Sequence, residues 1–102
     1  MIANPAAVVL TAQVAHWVDD DPVRTAWILY CLHRHNTSDW GDLDQHDAAA
    51  NDQALAERSG RLLSSYPVPH ELTDPADGDD RIWIITDDLT DPVTTILWPS
   101  DY

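Results

Sequence analysis

Lysine and phenylalanine are absent from this sequence of 102 residues, and its positive charge rests on five arginines set against 18 acids, all but two of them aspartate. The formal net charge is −13. A surface field of that sign repels phosphate backbones and anionic headgroups, so the expectation is a protein that binds neither nucleic acid nor membrane directly. A single cysteine, Cys31, has no partner for an internal disulfide, and within the apolar run WILYCL it reads as a small buried hydrophobe. Three glycines are too sparse for a phosphate-cradling loop, and no G-x-G-x-x-G occurs. Long apolar runs are missing as well. The stretch MIANPAAVVLTAQVAHWV lacks a basic start and is interrupted by Gln13 and His16, so it reads as neither signal peptide nor membrane span. A soluble cytoplasmic protein is the expectation.

What remains is enough for one core. Hydrophobic residues make up 44% of the chain, with five tryptophans and three tyrosines, and no repeat or linker divides it, so residues 1–102 read as a single domain. AAVVLTA predicts a short strand leading through Thr11, as N-cap, into one or two helical turns. Asp21 followed by Pro22 opens a second helix through VRTAWILYCLHRHN, whose apolar centre predicts burial and whose last turn places His33, Arg34 and His35 against the exposed carbonyls. Asp42 with Gln45 fits a capping box, and Gly60 a left-handed C-terminal cap, predicting a third helix from Leu43 to Ser59. RLLSSYPV, RIWIIT and VTTILW are rich in β-branched and aromatic residues and predict an antiparallel meander. Helices followed by strands indicate α+β: an N-terminal strand and two main helices on a three- or four-stranded antiparallel sheet.

The most acidic stretch, DWGDLDQHDAAAND, carries five aspartates and no basic residue other than His46. Asp42 and Asp44 belong where a helix dipole favours negative charge, whereas Asp47 and Asp52 read as lying beyond the first turn, facing out with Asn51. These acids, Asp39, Asp42, Asp44, Asp47 and Asp52, form a candidate partner-binding surface, with loops around Asp79 and Asp88 as a second patch. Trp27 and Trp83 lie in apolar runs and read as core; Trp40 and Trp98 are the candidates for exposure. Trp40 is an interface anchor or, alternatively, a lid on the core.

Enzymatic chemistry finds little support. His33, His35, His46 and Asp42 are metal-ligand types, but residues two apart on a helix point about 200° from each other, so His33 and His35 cannot share one ion. The loop DPADGDDR lacks the ligand spacing of a calcium loop, and Ser64, Ser65, His16 and His70 sit in no nucleophile motif. No cofactor is implied.

A set of residues along the last two thirds of the chain resembles a family of small proteins encoded on plasmids, prophages and other mobile elements, labelled plasmid-related proteins or type I restriction subunits. The set comprises Trp40-Gly41-Asp42-Leu43-Asp44, Asn51-Asp52 with Ala54-Leu55, Gly60-Arg61-Leu62-Leu63-Ser64 with Tyr66, Ile82-Trp83-Ile84-Ile85-Thr86, Thr94-Thr95-Ile96-Leu97, and Pro99 with Tyr102. Family members close the last hairpin with a basic residue, where this chain has the acidic turn Asp87 to Pro92. The resemblance implies a mobile element in a bacterial cytoplasm and brings no activity, catalytic residue or cofactor. Small acidic single-domain proteins on mobile elements are often inhibitors of host defence, and an acidic surface can occupy a basic nucleic-acid channel by presenting carboxylates where phosphates would lie. The leading expectation is therefore an interaction protein that inhibits a defence nuclease, in the anti-CRISPR or anti-restriction manner, by binding a basic host or defence protein. A small metal- or ligand-binding enzyme using His33 and His46, or an acidic homo-oligomeric regulator, are the alternatives.

Overall fold

In the computed structural model, which describes residues 7–102, three side-chain caps set where the helices begin. Thr11 is extended and its Oγ1 accepts the Val14 N–H, opening α1 (Ala12–Val18), which Asp19 closes in the left-handed region at φ 37°. Asp21 accepts from the N–H groups of Val23 and Arg24, with Pro22 at the first position of α2 (Pro22–Asn36). Both starts lie where the sequence places them, although Ala6 of the predicted first strand lies outside the described residues.

The third start moves. Helix α3 spans Gln45–Glu57, and its N-cap is Asp44, which accepts the Asp47 N–H at 2.8 Å. Asp42 does not cap it, because its own N–H donates to the Ser65 carbonyl at 2.7 Å and the chain there still runs alongside a strand. Asp47 consequently lies inside the first turn, not beyond it. At the other end Arg58 takes the left-handed cap at φ 51°, two residues before Gly60. Asp44→Ala should cost about 0.5–2 kcal/mol in urea unfolding, whereas Asp42→Ala, which breaks only a half-exposed ion pair, should cost less than about 1 kcal/mol. Equal losses would contradict this assignment.

The expected meander forms from β2 (Leu62–Pro67), β3 (Arg81–Asp87) and β4 (Val93–Leu97), all antiparallel. A fourth strand, β1 (Ala7–Leu10), adds beyond β4 in parallel, so the sheet is mixed, with order β1-β4-β3-β2. A short hairpin connection over residues 88–92 reverses the chain from β3 to β4 and a longer loop over residues 68–80 returns it from β2 to β3, but no turn joins β1 to β4, and the Thr11 N–H instead ties the start of α1 to the Ile96 carbonyl. The fold is α+β.

Alternate strand residues build the core. Tyr66, Ile82, Ile84 and Ile96 share one face and pack against Val14 and Trp17 of α1 and Ile28 and Cys31 of α2. Helix α2 is buried along this stripe only; Val23, Leu29 and Tyr30 are exposed, because a single helical layer covers the sheet and no described element covers the helix. Trp98 and Trp83 depart from the sequence reading, whereas Trp27 packs against this core. Trp98 is 1% exposed and sits edge-on to Trp17 at 5.1 Å, while Trp27 and Trp83 are half-buried. The two-residue period of β4 runs on from Ile96 to Trp98 and carries the ring into the core. Trp40 is 7% exposed and closes a smaller cluster with Leu62, Leu43, Leu55 and Leu89. None of the described helices is long and apolar enough to cross a membrane.

Candidate functional site

The acidic segment folds along the outer edge of β2. Ladder alternation turns the peptide groups of Leu63 and Ser65 away from β3, and each finds a partner in that segment. The Ser65 N–H donates to the Trp40 carbonyl, and the Asp42 N–H to the Ser65 carbonyl. Gly41, between them at φ 72°, lies so close that an added Cβ would fall 2.2 Å from the Ser65 oxygen, so the approach requires glycine. One step along, Asn51 of α3 donates from Nδ2 to the Leu63 carbonyl at 2.7 Å and accepts the Leu63 N–H at Oδ1. Its amide stands in for a neighbouring strand. Asn51 is thus buried, contrary to the outward placement read from the sequence. Its signal was one amide of three in an alanine-rich helix, which periodicity alone does not assign to a face.

Most of the candidate acids have structural partners too. Asp39 makes a two-point contact with Arg34, from Nε at 2.8 Å and Nη2 at 3.1 Å, and its carbonyl accepts the Tyr66 hydroxyl. The Arg34 hydrogen bond holds the Asp39 carboxyl below its ordinary range. Asp42 pairs with Arg81 at 3.1 Å, and the same guanidinium reaches Ser65 Oγ and lies 3.9 Å from Asp80. Asp52 accepts the Trp40 indole N–H at 3.1 Å, orienting the lid. Asp44 is the cap of α3. Among the described residues the Asp47 carboxylate alone of these five has no hydrogen-bond or ion-pair partner.

Asp79 accepts the Ser100 N–H, and Asp88 accepts from Thr90 within its own turn. They do not form one patch. Strand β3 lies between them and separates the two loops by roughly 20 Å. Asp79 lies at the Arg81 end, near Asp42 and Asp80, and Asp88 lies beside Leu89, whose N–H reaches the Gly60 carbonyl. Beside Asp79 an open cavity of about 310 Å³ is lined by His70, Thr73, Asp74, Gly78 and Asp80.

The histidines part company as the helical spacing requires: His33 is exposed and His35 is fully buried. The two ring nitrogens of His35 are engaged by Ser64 Oγ and by Thr86 Oγ1, and Thr86 continues the chain to Thr94. No carboxylate stands behind the ring, and Ser64 is itself fully buried, so the set is a core hydrogen-bond chain and not a nucleophilic triad. Burial pushes the Cys31 thiol up to about 12, far from thiolate chemistry. No group of three His, Cys, Asp or Glu among the described residues is arranged to hold a metal ion.

Comparison of the chain with protein-family models, with curated proteins and with solved structures finds no match.

Proposed function

We propose that this protein is an acidic interaction module of mobile-element origin that binds a basic, nucleic-acid-binding surface of a bacterial defence nuclease and so inhibits it. The observation that supports this reading is an array of carboxylates that face solvent while being tied to rigid elements. Asp39 and Asp42 keep 53% and 59% of their side chains exposed while Arg34 and Arg81 hold them, and Asp44 and Asp52 are fixed by α3 and Trp40. Charges already ordered lose little side-chain entropy on binding, which favours recognition of an equally ordered array of lysines and arginines. With a net charge of −13, the same field steers a cationic partner from a distance.

The test begins with recovery of the partner from a bacterial cytoplasm and measurement of its affinity as salt is raised. Affinity should fall with salt, and competing nucleic acid should displace the protein. Asp47→Arg, which breaks no described side-chain contact but reverses a charge in the first turn of α3, and Asp52→Asn, which keeps an acceptor for Trp40 but removes the charge, should together weaken binding by about tenfold or more, with a loss of stability of no more than about 1–2 kcal/mol. Affinity indifferent to salt and to both substitutions would refute the reading.

A further inference from the structure

The two edges of the sheet are treated differently. At β2, Asn51 and the segment Trp40 to Asp42 occupy the outward peptide groups of Leu63 and Ser65, and Pro67 has no N–H to offer. Among the described residues the sheet stops at β1. The Thr11 N–H donates to the Ile96 carbonyl at 3.0 Å, so the two-residue alternation turns Val9 toward β4 and leaves the peptide groups of Val8 and Leu10 facing away from it. No described residue pairs with that side. The side chains are open as well: Val8, Val9 and Leu10 are 43%, 44% and 43% exposed, so both faces of the strand reach solvent, and Val93 beside Ala7 adds to the strip. Within Ala7–Leu10 there is no charge, proline or bulge of the kind that ordinarily blunts an edge.

The rim of the strip is acidic. Asp87 is paired across from Val93, Asp91 precedes it by two residues, and Asp101 accepts the Thr11 hydroxyl at 2.7 Å. Four arginines are engaged elsewhere, Arg24 with the Trp17 carbonyl, Arg34 with Asp39, Arg61 with Tyr102 and Arg81 with Asp42, and Arg58, whose guanidinium has no described partner, ends α3 beside β2 at the other edge of the sheet. We infer that β1 is a strand-addition site for an extended segment of a partner protein that carries alternating apolar residues flanked by lysine or arginine. Main-chain hydrogen bonds to Val8 and Leu10 supply the pairing, and the acidic rim selects the flanks. A second copy of this chain would satisfy the same edge, but it would bring its own Asp87, Asp91 and Asp101 to that rim with no cation to face them. The site lies on the sheet edge opposite to the acids of α3, and it stands independently of the proposed inhibition.

The probe is a synthetic peptide of alternating valine and threonine with lysines at both ends, titrated into isotopically labelled protein and compared with the same peptide ended by glutamates. The lysine peptide should bind saturably, with amide shifts centred on Val8, Val9 and Leu10, and should weaken as salt rises. Val8→Pro removes an outward N–H while the bonds from Val9 and Thr11 to β4 remain, and it should reduce affinity by about tenfold or more. Asp47→Arg should leave this binding unchanged. The inference is overturned if the shifts fall elsewhere, if the glutamate peptide binds equally well, or if the chain dimerises through an edge that Val8→Pro abolishes. The wild-type shifts decide the matter even where the proline variant folds poorly.

Discussion

Trp98→Ala is expected to destabilise the protein by about 3–5 kcal/mol, a large share of the ~5–15 kcal/mol that holds a domain of this size together. The ring is 1% exposed, meets Trp17 edge-on, and fills the space beside Gly78, where an added Cβ would come within 2.5 Å of its Cζ2. Its indole nitrogen has no protein acceptor among the described residues, so its contribution is packing and not a hydrogen bond. Alanine would leave a cavity between α1, β4 and the loop that carries Gly78, in a close-packed interior with little freedom to collapse inward. Trp83→Ala offers the comparison, since that ring is half-buried against Tyr102 on the opposite face. It should cost distinctly less. Chemical denaturation of the two variants checks this, and equal losses would contradict the placement of Trp98 in the core.

Stability should also fall by roughly 3 kcal/mol between neutral pH and pH 4 on account of His35 alone. Burial lowers its pKa from an ordinary 6.5 to about 4, and a fall of about 2.5 at 1.36 kcal/mol each sets the scale. The sign follows from proton uptake. Between the two values the unfolded chain binds a proton that the folded chain refuses, so acid favours unfolding, and the contribution is fully present above pH 6.5. In the fold, a neutral ring donates through one nitrogen and accepts through the other, which suits the hydroxyls of Ser64 and Thr86. An imidazolium would present two donors with no buried anion to meet them. Lower pH also relieves the repulsion among 18 acids, which acts in the opposite direction and is common to any variant. The measurement is therefore a difference: urea unfolding of wild type and His35→Asn from pH 7 to pH 4 should converge as acid is added. Parallel profiles would show that His35 does not titrate in this way.

Local chemistry was legible where it acts over a few residues. Thr11, Asp21 and Pro22 mark helix starts because a side-chain oxygen two or three residues from an unpaired N–H needs no distant partner. The β-branched runs mark β2, β3 and β4 because their alternation is intrinsic to a pleated strand with one covered face. The candidate site was legible only in part. Composition and spacing picked out Asp39, Trp40, Asp42, Asp44, Asp47 and Asp52 as a set, and the fold gathers them about the outer edge of β2 and the start of α3. Their division of labour was not visible, because Arg34, Arg81 and Ser65 reach them from other elements.

The class of fold, two helix starts, the three-stranded meander and a charge of one sign follow from local chemistry and composition. The tertiary structure alone decided that Asp44 and not Asp42 caps α3, that Asn51 seals one edge of the sheet while β1 leaves the other open, and that His35 and Trp98 are core. The reason is common to all of them. Each outcome depends on a contact between residues far apart in the chain, such as Asp42 with Ser65 or His35 with Thr86, and a contact of that kind leaves no periodicity or spacing in the sequence around either partner.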